Sequence, residues 1–230
     1  METYSKCDYS QDENLPSWSS AHYQRCIFSG SYMGTDIRDP RKRIVISDVK
    51  FTNCQFKQVD WCGVSFHNVE FENCWFKSIN RFDACLYSNV KFTGSHRGTY
   101  LGSHRWDIGR DINSPANKAF IEANQQAYEQ IDVAIDLSDY VMGGQAYSEL
   151  LTSGVPISKI VKSKHGHCEF INYKRMVSLL ESGLVEEPLA DDLETQMYLN
   201  SSDFVYLYAS NDLHSAKFIE FCAQNDCIIS

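Results

Sequence analysis

Residues 44–83, IVISDVKFTNCQFKQVDWCGVSFHNVEFENCWFKSINRFD, repeat with a period of five. Ile44, Val49, Cys54, Val59, Val64, Val69, Cys74 and Ile79 are small or branched and apolar. Two positions after each stand Ile46, Phe51, Phe56, Trp61, Phe66, Phe71, Phe76 and Arg81, large and apolar except the last. Two further on come Asp48, Asn53, Gln58, Gly63, Asn68, Asn73, Ser78 and Asp83, which are polar or turn-forming. A helical stripe recurs about every 3.6 residues and a half-buried strand about every two, so this period belongs to neither. One inward pair and one corner per repeat oblige the chain to coil. A sandwich with clustered Cys, Val and Phe would favour period two instead.

Pairs such as Cys54-Gln55-Phe56 and Cys74-Trp75-Phe76 resemble the consensus of the pentapeptide-repeat family, which includes topoisomerase-protecting and effector-type members. The resemblance implies a right-handed quadrilateral β-helix with four repeats per coil. The physics agrees: one repeat cannot bury its apolar face, but coils stacked about 4.8 Å apart bury a continuous column.

Outward from this block the pattern frays. Upstream, Ala21-His22-Tyr23, Cys26-Ile27-Phe28 and Ser31-Tyr32-Met33 keep the five-residue step, and Cys7-Asp8-Tyr9 is an isolated earlier match. Gly34 to Arg43 reads as a charged loop interrupting the coil. Downstream, Ala84/Leu86 continues the register, whereas Cys85/Tyr87 and Val90/Phe92 fit only after a slip of one residue. Arg81 fails in an inward slot beside Phe82, which places the slip there. The expected organisation is an N-terminal extension over 1–19, a β-helix over 20–100, a connector over 101–113, and a mainly α or α/β domain over 114–230.

In that last domain, Ser114-Pro115 is a strong helix start, followed at helical spacing by Ala116, Ala119, Phe120, Ala123, Ala127, Ile131, Ala134 and Ile135. Helices are also expected over 145–152, 172–181, 189–199 and 213–223, with strands at 204–208 and 227–229. Residues 146–164 have the spacing of a helix-turn-helix, with Glu169 to Ile171 as a wing. Lys159, Lys162, Lys164, Lys174 and Arg175 would then face DNA phosphates. A plain helical hairpin explains the same residues, since Gly154 is an ordinary C-cap and Pro156 an ordinary helix start.

The 230 residues contain nine cysteines, an odd number with no secretory segment at Met1–Asn14, and Cys26, Cys54 and Cys74 fall in small-residue slots. That usage reads as a reduced, cytoplasmic protein whose thiols act as compact apolar groups. No apolar run is long enough for a membrane span. Residues 1–175 are neutral overall, so the formal charge of −9 sits in the last quarter. Glu186, Glu187, Asp191, Asp192 and Glu194 form the core of that acidic stretch, which would repel nucleic acid and attract basic partners, or else is a solvated helical surface.

Phosphate-loop, dinucleotide, zinc-protease and nucleophile-elbow motifs are all absent from the sequence. His165, His167 and Cys168, with Cys222 or Cys227, are the best metal candidates, but a lone cluster falls short of the paired ligands a zinc site needs. Loop histidines are the plainer reading, and no cofactor, metal or catalytic set is assigned. Cys227-Ile228-Ile229-Ser230 matches a prenylation signal, but a terminal strand explains the same residues and no polybasic segment precedes them.

Three classes of function follow. The first is a noncatalytic inhibitor or protector that binds a DNA-handling enzyme. The resemblance implies that such proteins imitate duplex DNA; here Lys57, Asp60, His67, Glu70, Glu72 and Lys77 would be the outward contacts, joined by the acidic stretch. Two to four coils give a rod of about 10–19 Å, roughly six base pairs at most, which a homodimer would double. The second is a DNA-binding regulator using the helix-turn-helix, the one reading with a nucleic-acid partner. The third is a delivered effector or scaffold with its activity in the C-terminal domain.

Overall fold

The computed structural model describes residues 1–10, 18–30, 32–77, 80–96, 99–102, 114–142, 150–152, 154–164, 167–172, 175, 178–179, 182, 205–210, 220 and 222–229. They form mostly parallel β-sheet with few helices, the arrangement of a β-helix-like solenoid. Successive strands are short, and each coil of the chain contributes to several sheets in turn. In the first sheet the strands Glu2–Ser5, Ala21–Gln24, Val45–Thr52, Ser65–Glu72, Leu86–His96, Ile135–Asp136 and Ile160–Val161 lie side by side in that order. A second sheet stacks Asp8–Ser10, Ile27–Ser29, Gln55–Lys57 and Trp75–Lys77. A third runs from Tyr32–Met33 through Asp60–Cys62, Asn80–Asp83 and Thr99–Gly102 to Leu150–Thr152.

The register shows how the five-residue period works. Val45 lies beside Ser65 and Gln55 beside Trp75, a step of 20 residues. Asp48, Asn53, Gln58, Gly63, Asn68 and Asn73, the expected corners, all have φ between +50° and +62°. Short polar residues and glycine tolerate this left-handed conformation best, which is why the slot excludes branched side chains. One corner column is also a hydrogen-bond ladder. Asn68 Nδ2 donates to Asp48 Oδ1 at 3.0 Å, and Asn89 Nδ2 donates to Asn68 Oδ1 at 2.9 Å.

The slip falls where Arg81 marks it. Past it Asp60 lies beside Arg81 and Ser65 beside Leu86, a step of 21, and the corners move to Ala84, Asn89 and Gly94. Asp83, expected at a corner, is instead a buried strand residue, and Phe82 takes the inward place. Ser78 and Ile79 lie outside the described residues. The Gly34–Arg43 interruption is also present: Tyr32 lies beside Asp60, a step of 28. Gly34 is required there, since at φ +75° a Cβ would sit 2.1 Å from the Cys62 carbonyl oxygen.

Inside, aromatic rings stack coil on coil. Tyr4, Tyr23, Phe51, Phe71 and Phe92 form one column with centroids 5.1, 5.3, 5.1 and 5.0 Å apart. Tyr9, Phe28, Phe56 and Phe76 form another at 5.2, 5.0 and 4.9 Å. Beside them the Cys26, Cys54, Cys74 and Cys85 thiols donate inward, to the carbonyls of Tyr4, Tyr23, Phe51 and Trp61 at 3.2–3.5 Å. Burial pushes the Cys26 thiol up to about 11 and the Cys85 thiol up to about 12. Protonated and buried, they act as small packing groups.

The boundary expected near residue 113 is crossed by parallel pairs. Val90 lies beside Ile135, Gly94 beside Tyr140, and Thr99 beside Leu150. Between them the helix α1, Pro115–Tyr128, starts as expected, with Ser114 Oγ accepting from the Asn117 N–H at 3.3 Å. Its buried face is Asn117, Phe120, Asn124 and Tyr128, not the alanine stripe, and Ala134 and Ile135 lie beyond it. Asn124 Nδ2 donates to the Cys85 carbonyl at 3.1 Å, which ties α1 to a corner of the coil. Arg43 completes the joint: it donates to the Ala84 carbonyl at 2.7 Å and to Asn124 Oδ1 at 2.5 Å, with its guanidinium 4.9 Å from the Phe120 ring centre.

Among the described residues the helix-turn-helix is not formed; residues 145–149 of the expected first helix, and 153, lie outside them. Leu150–Thr152 is a strand, Ile157–Lys159 is one 3-10 turn, and Ile160–Val161 is again a strand. The open edge of the preceding coil supplies hydrogen-bond partners that outweigh helical propensity, and the β-branched Val155, Ile157, Ile160 and Val161 favour that outcome. The wing segment lies in the strand His167–Asn172, which pairs antiparallel with Val205–Ser210 and Ile228–Ile229. Val205–Ser210 in turn pairs antiparallel with Leu150–Thr152, extending the third sheet. Arg175, Ser178, Leu179, Glu220 and Cys222–Gln224 are helical, as expected within 172–181 and 213–223, except that Asn172 belongs to the strand His167–Asn172. The helix expected over 189–199 lies outside the described residues. Among the described residues no helix is long and apolar enough to cross a membrane.

Candidate interaction surface

Because alternate strand residues point outward, each sheet carries rows of side chains one coil apart. The first sheet presents two adjoining rows. One runs His22, Lys50, Glu70, Lys91, Asp136; the other runs Gln24, Thr52, Glu72, Thr93. Lys50 Nζ lies 3.2 Å from Glu70 Oε2 and 3.1 Å from Glu72 Oε2. Thr52 Oγ1 donates to Glu72 Oε2 at 3.0 Å and is 3.0 Å from His22 Nε2. Lys91 Nζ continues the row, 2.7 Å from Asp139 and 4.0 Å from Asp136.

The Lys50 ammonium, followed by the Thr52 hydroxyl, holds the Glu72 carboxyl below its usual range. Desolvation works against the Lys50 charge, yet its bonds to Glu72 and Glu70 leave its pKa raised. The hydrogen bond to Asp139 raises that of Lys91. The face is therefore a fixed pattern of alternating, mutually neutralised charge.

The other expected contacts are dispersed. Asp60 lies on the third sheet, 3.7 Å from Arg81. Lys57 stands half-buried on the second sheet, in the row containing Ser29 and Lys77. Lys77 is in the strand Trp75–Lys77, with its side chain outside the described set. His67 Nε2 is 2.9 Å from Ser65 Oγ, within the reach of a base and nucleophile. Ser65 is buried, however, so its hydroxyl is not presented to a substrate. Sequence reasoning missed Lys50 and Lys91, which one coil step forward or back from Glu70 would have found. It also missed Trp75, 44% exposed on the second sheet, and Tyr32, 66% exposed on the third.

The described residues assigned to a DNA interface lie on separate elements rather than on a recognition helix. Lys162 Nζ is 3.1 Å from Glu169 and 5.0 Å from the Phe170 ring centre. Lys159 belongs to the 3-10 turn, exposed Lys164 follows the Ile160–Val161 strand, and Arg175 Nε donates to the Asn225 carbonyl at 3.3 Å. Lys174, Glu186, Glu187, Asp191, Asp192 and Glu194 lie outside the described residues, as does His165. Of the metal candidates, His167 and Cys168 lie in a strand, and Cys222 and Cys227 are buried. Burial pushes the Cys222 thiol up to about 12. Among the described residues no group of three or more His, Cys, Asp or Glu could hold a metal ion. Buried Cys227 sits directly before the paired strand Ile228–Ile229, so its thiol is not presented for lipidation in the folded chain. No protein-family model, curated protein or solved structure matches the chain.

Proposed function

We propose that this chain is a noncatalytic protein-binding module built on a right-handed quadrilateral β-helix, and that its partner is a DNA-handling enzyme. The observation that carries this reading is the length and chemistry of the first sheet. Seven stacked strands span about 29 Å, equivalent to roughly eight base pairs. This exceeds the two to four coils expected from the repeats alone. Along that length the rows offer ordered, compensated charge, and the neighbouring sheets expose Trp75 and Tyr32. Exposed aromatic anchors beside patterned charge suit a protein partner, whereas a phosphate backbone asks for unopposed cations. Negative charge for occupying a DNA-binding groove comes from residues 176–230.

The test is a supercoiling assay with a type II topoisomerase, run beside a duplex-binding titration at low salt. Inhibition or protection without DNA binding is the expected result, weakened by Trp75→Ala and by Glu70→Lys with Glu72→Lys. Salt-dependent binding of the chain to duplex DNA, or no effect on any DNA-acting enzyme, would overturn the reading.

A further inference from the structure

The aromatic columns end at the N-terminal coil, and they end incompletely covered. Tyr23, Cys26 and Phe28 are fully buried, but their neighbours in the first coil, Tyr4, Cys7 and Tyr9, are only half-buried, as is Trp18 beside them. The outermost strand, Glu2–Ser5, pairs with Ala21–Gln24 and, among the described residues, with no other strand. Its ladder uses the N–H groups of Glu2 and Lys6, which donate to the Ser20 and Gln24 carbonyls at 3.0 and 2.9 Å. In a strand the next residues face the other way, so Thr3 and Ser5 turn their backbone groups outward from the coil. The Ser5 carbonyl receives the Cys7 thiol at 3.6 Å, a long contact that leaves room for a stronger donor. An edge of this kind is a template for another strand.

What fits it can be read from its own residues. Laid antiparallel against a copy of itself about a two-fold axis through Tyr4, this strand places Thr3 opposite Ser5 of the copy. That is the spacing at which two residues exchange both backbone hydrogen bonds. The same register sets Glu2 opposite Lys6 of the copy, the left-handed corner residue (φ +57°) that follows the strand, twice over, and brings the two Tyr4 rings together at the end of their columns. A register centred on Thr3 would instead oppose Glu2 to Tyr4 and lose both charge pairs. We infer that the N-terminal end of the solenoid is a self-association surface, joining two copies head to head through antiparallel pairing of the strand Glu2–Ser5, with the Lys6 side chains beside Glu2 of the copy. The joined rod presents two first sheets end to end. This stands whether or not the partner is a DNA-handling enzyme.

Sedimentation velocity of the full chain across a concentration series tests it. A species of twice the single-chain mass is expected. Glu2→Lys or Lys6→Glu alone should raise the dimer dissociation constant roughly tenfold or more by placing like charges opposite one another. The two together should restore it, a rescue that a purely structural role would not give. Thr3→Pro should abolish the dimer while leaving the far-ultraviolet circular dichroism of the monomer intact, since its N–H faces away from the coil. A monomer at all concentrations, or a dimer indifferent to the charge reversals, would overturn the inference.

Discussion

The described residues of 45–93 and of 133–161 contribute strands to the same parallel stack but are held there differently. In the first region every coil brings its own corner residues, inward aromatic rings and buried thiols, so the sequence repeats because each coil solves the same problem. In the second, two-residue strands at Ile135–Asp136 and Ile160–Val161 are added to an edge already made, after α1 has carried the chain from the repeat block. The comparison teaches that a repeat is needed to start a coil of this kind but not to extend it. Once Leu86–His96 and Thr99–Gly102 present their edges, residues outside the repeat pattern such as Ile135, Asp136, Leu150 and Leu151 can pair there.

The largest expected effect breaks the first region from inside. Phe56→Ala removes a ring stacked between Phe28 and Phe76 and should cost about 3–5 kcal/mol in urea unfolding. Ile160→Val, at the extended end, should cost about 1 kcal/mol or less. Equal losses would erase the distinction between template and addition.

At the joint between the regions, Arg43→Ala removes the bonds to Ala84 and Asn124 and the contact with Phe120. About 1.5–3 kcal/mol should be lost. Hydrogen exchange should show the loosening centred on α1 rather than on the aromatic columns.

A smaller test sharpens the account of the corners. Asn68→Ala loses both rungs of the ladder and keeps a Cβ at positive φ, for about 1–2 kcal/mol. Asn68→Gly should be less harmful, because glycine accepts the left-handed conformation. Thermal denaturation of the two variants decides between backbone strain and the ladder as the main term.

Smallest is the surface network. Because the folded Glu72 carboxyl titrates below its unfolded value of about 4.3, its contribution is present above that pH. It is lost as pH falls through the lowered folded value. Lys50→Met should therefore flatten the stability–pH curve below about pH 5. At neutral pH it should cost about 0.5 kcal/mol or less, as both partners remain about a third exposed.

Corners and inward slots from Ile46 to Asn73 were legible because one residue type serves one backbone conformation at each position. Arg81 beside Phe82 revealed the slip for the same reason: a charged residue cannot fill an apolar slot. The extension was not legible. Leu150–Thr152 is short enough to read as part of a helix, and its pairing with Thr99–Leu101 on one side and Val205–Leu207 on the other decides otherwise. For the interaction face, Glu70 and Glu72 were visible as outward residues. Their pairing with Lys50 needed the 20-residue step, and Asp136 reaches its row only through α1 and the turn after it.

The strands Ile135–Asp136, Tyr140–Met142 and Ile160–Val161 continue the parallel pairing of the repeat block. Native-state hydrogen exchange of the Val90, Ala134 and Leu137 amides tests it most directly. These donate to the carbonyls of Ala134, Lys159 and Val161 at 3.0, 2.8 and 2.9 Å. The account predicts slow exchange for all three, losing protection in order from the Ile160 end inward as urea is added. Rapid exchange at Ala134 and Leu137 while Val90 stays protected, or a sharp independent transition confined to 114–161, would contradict it.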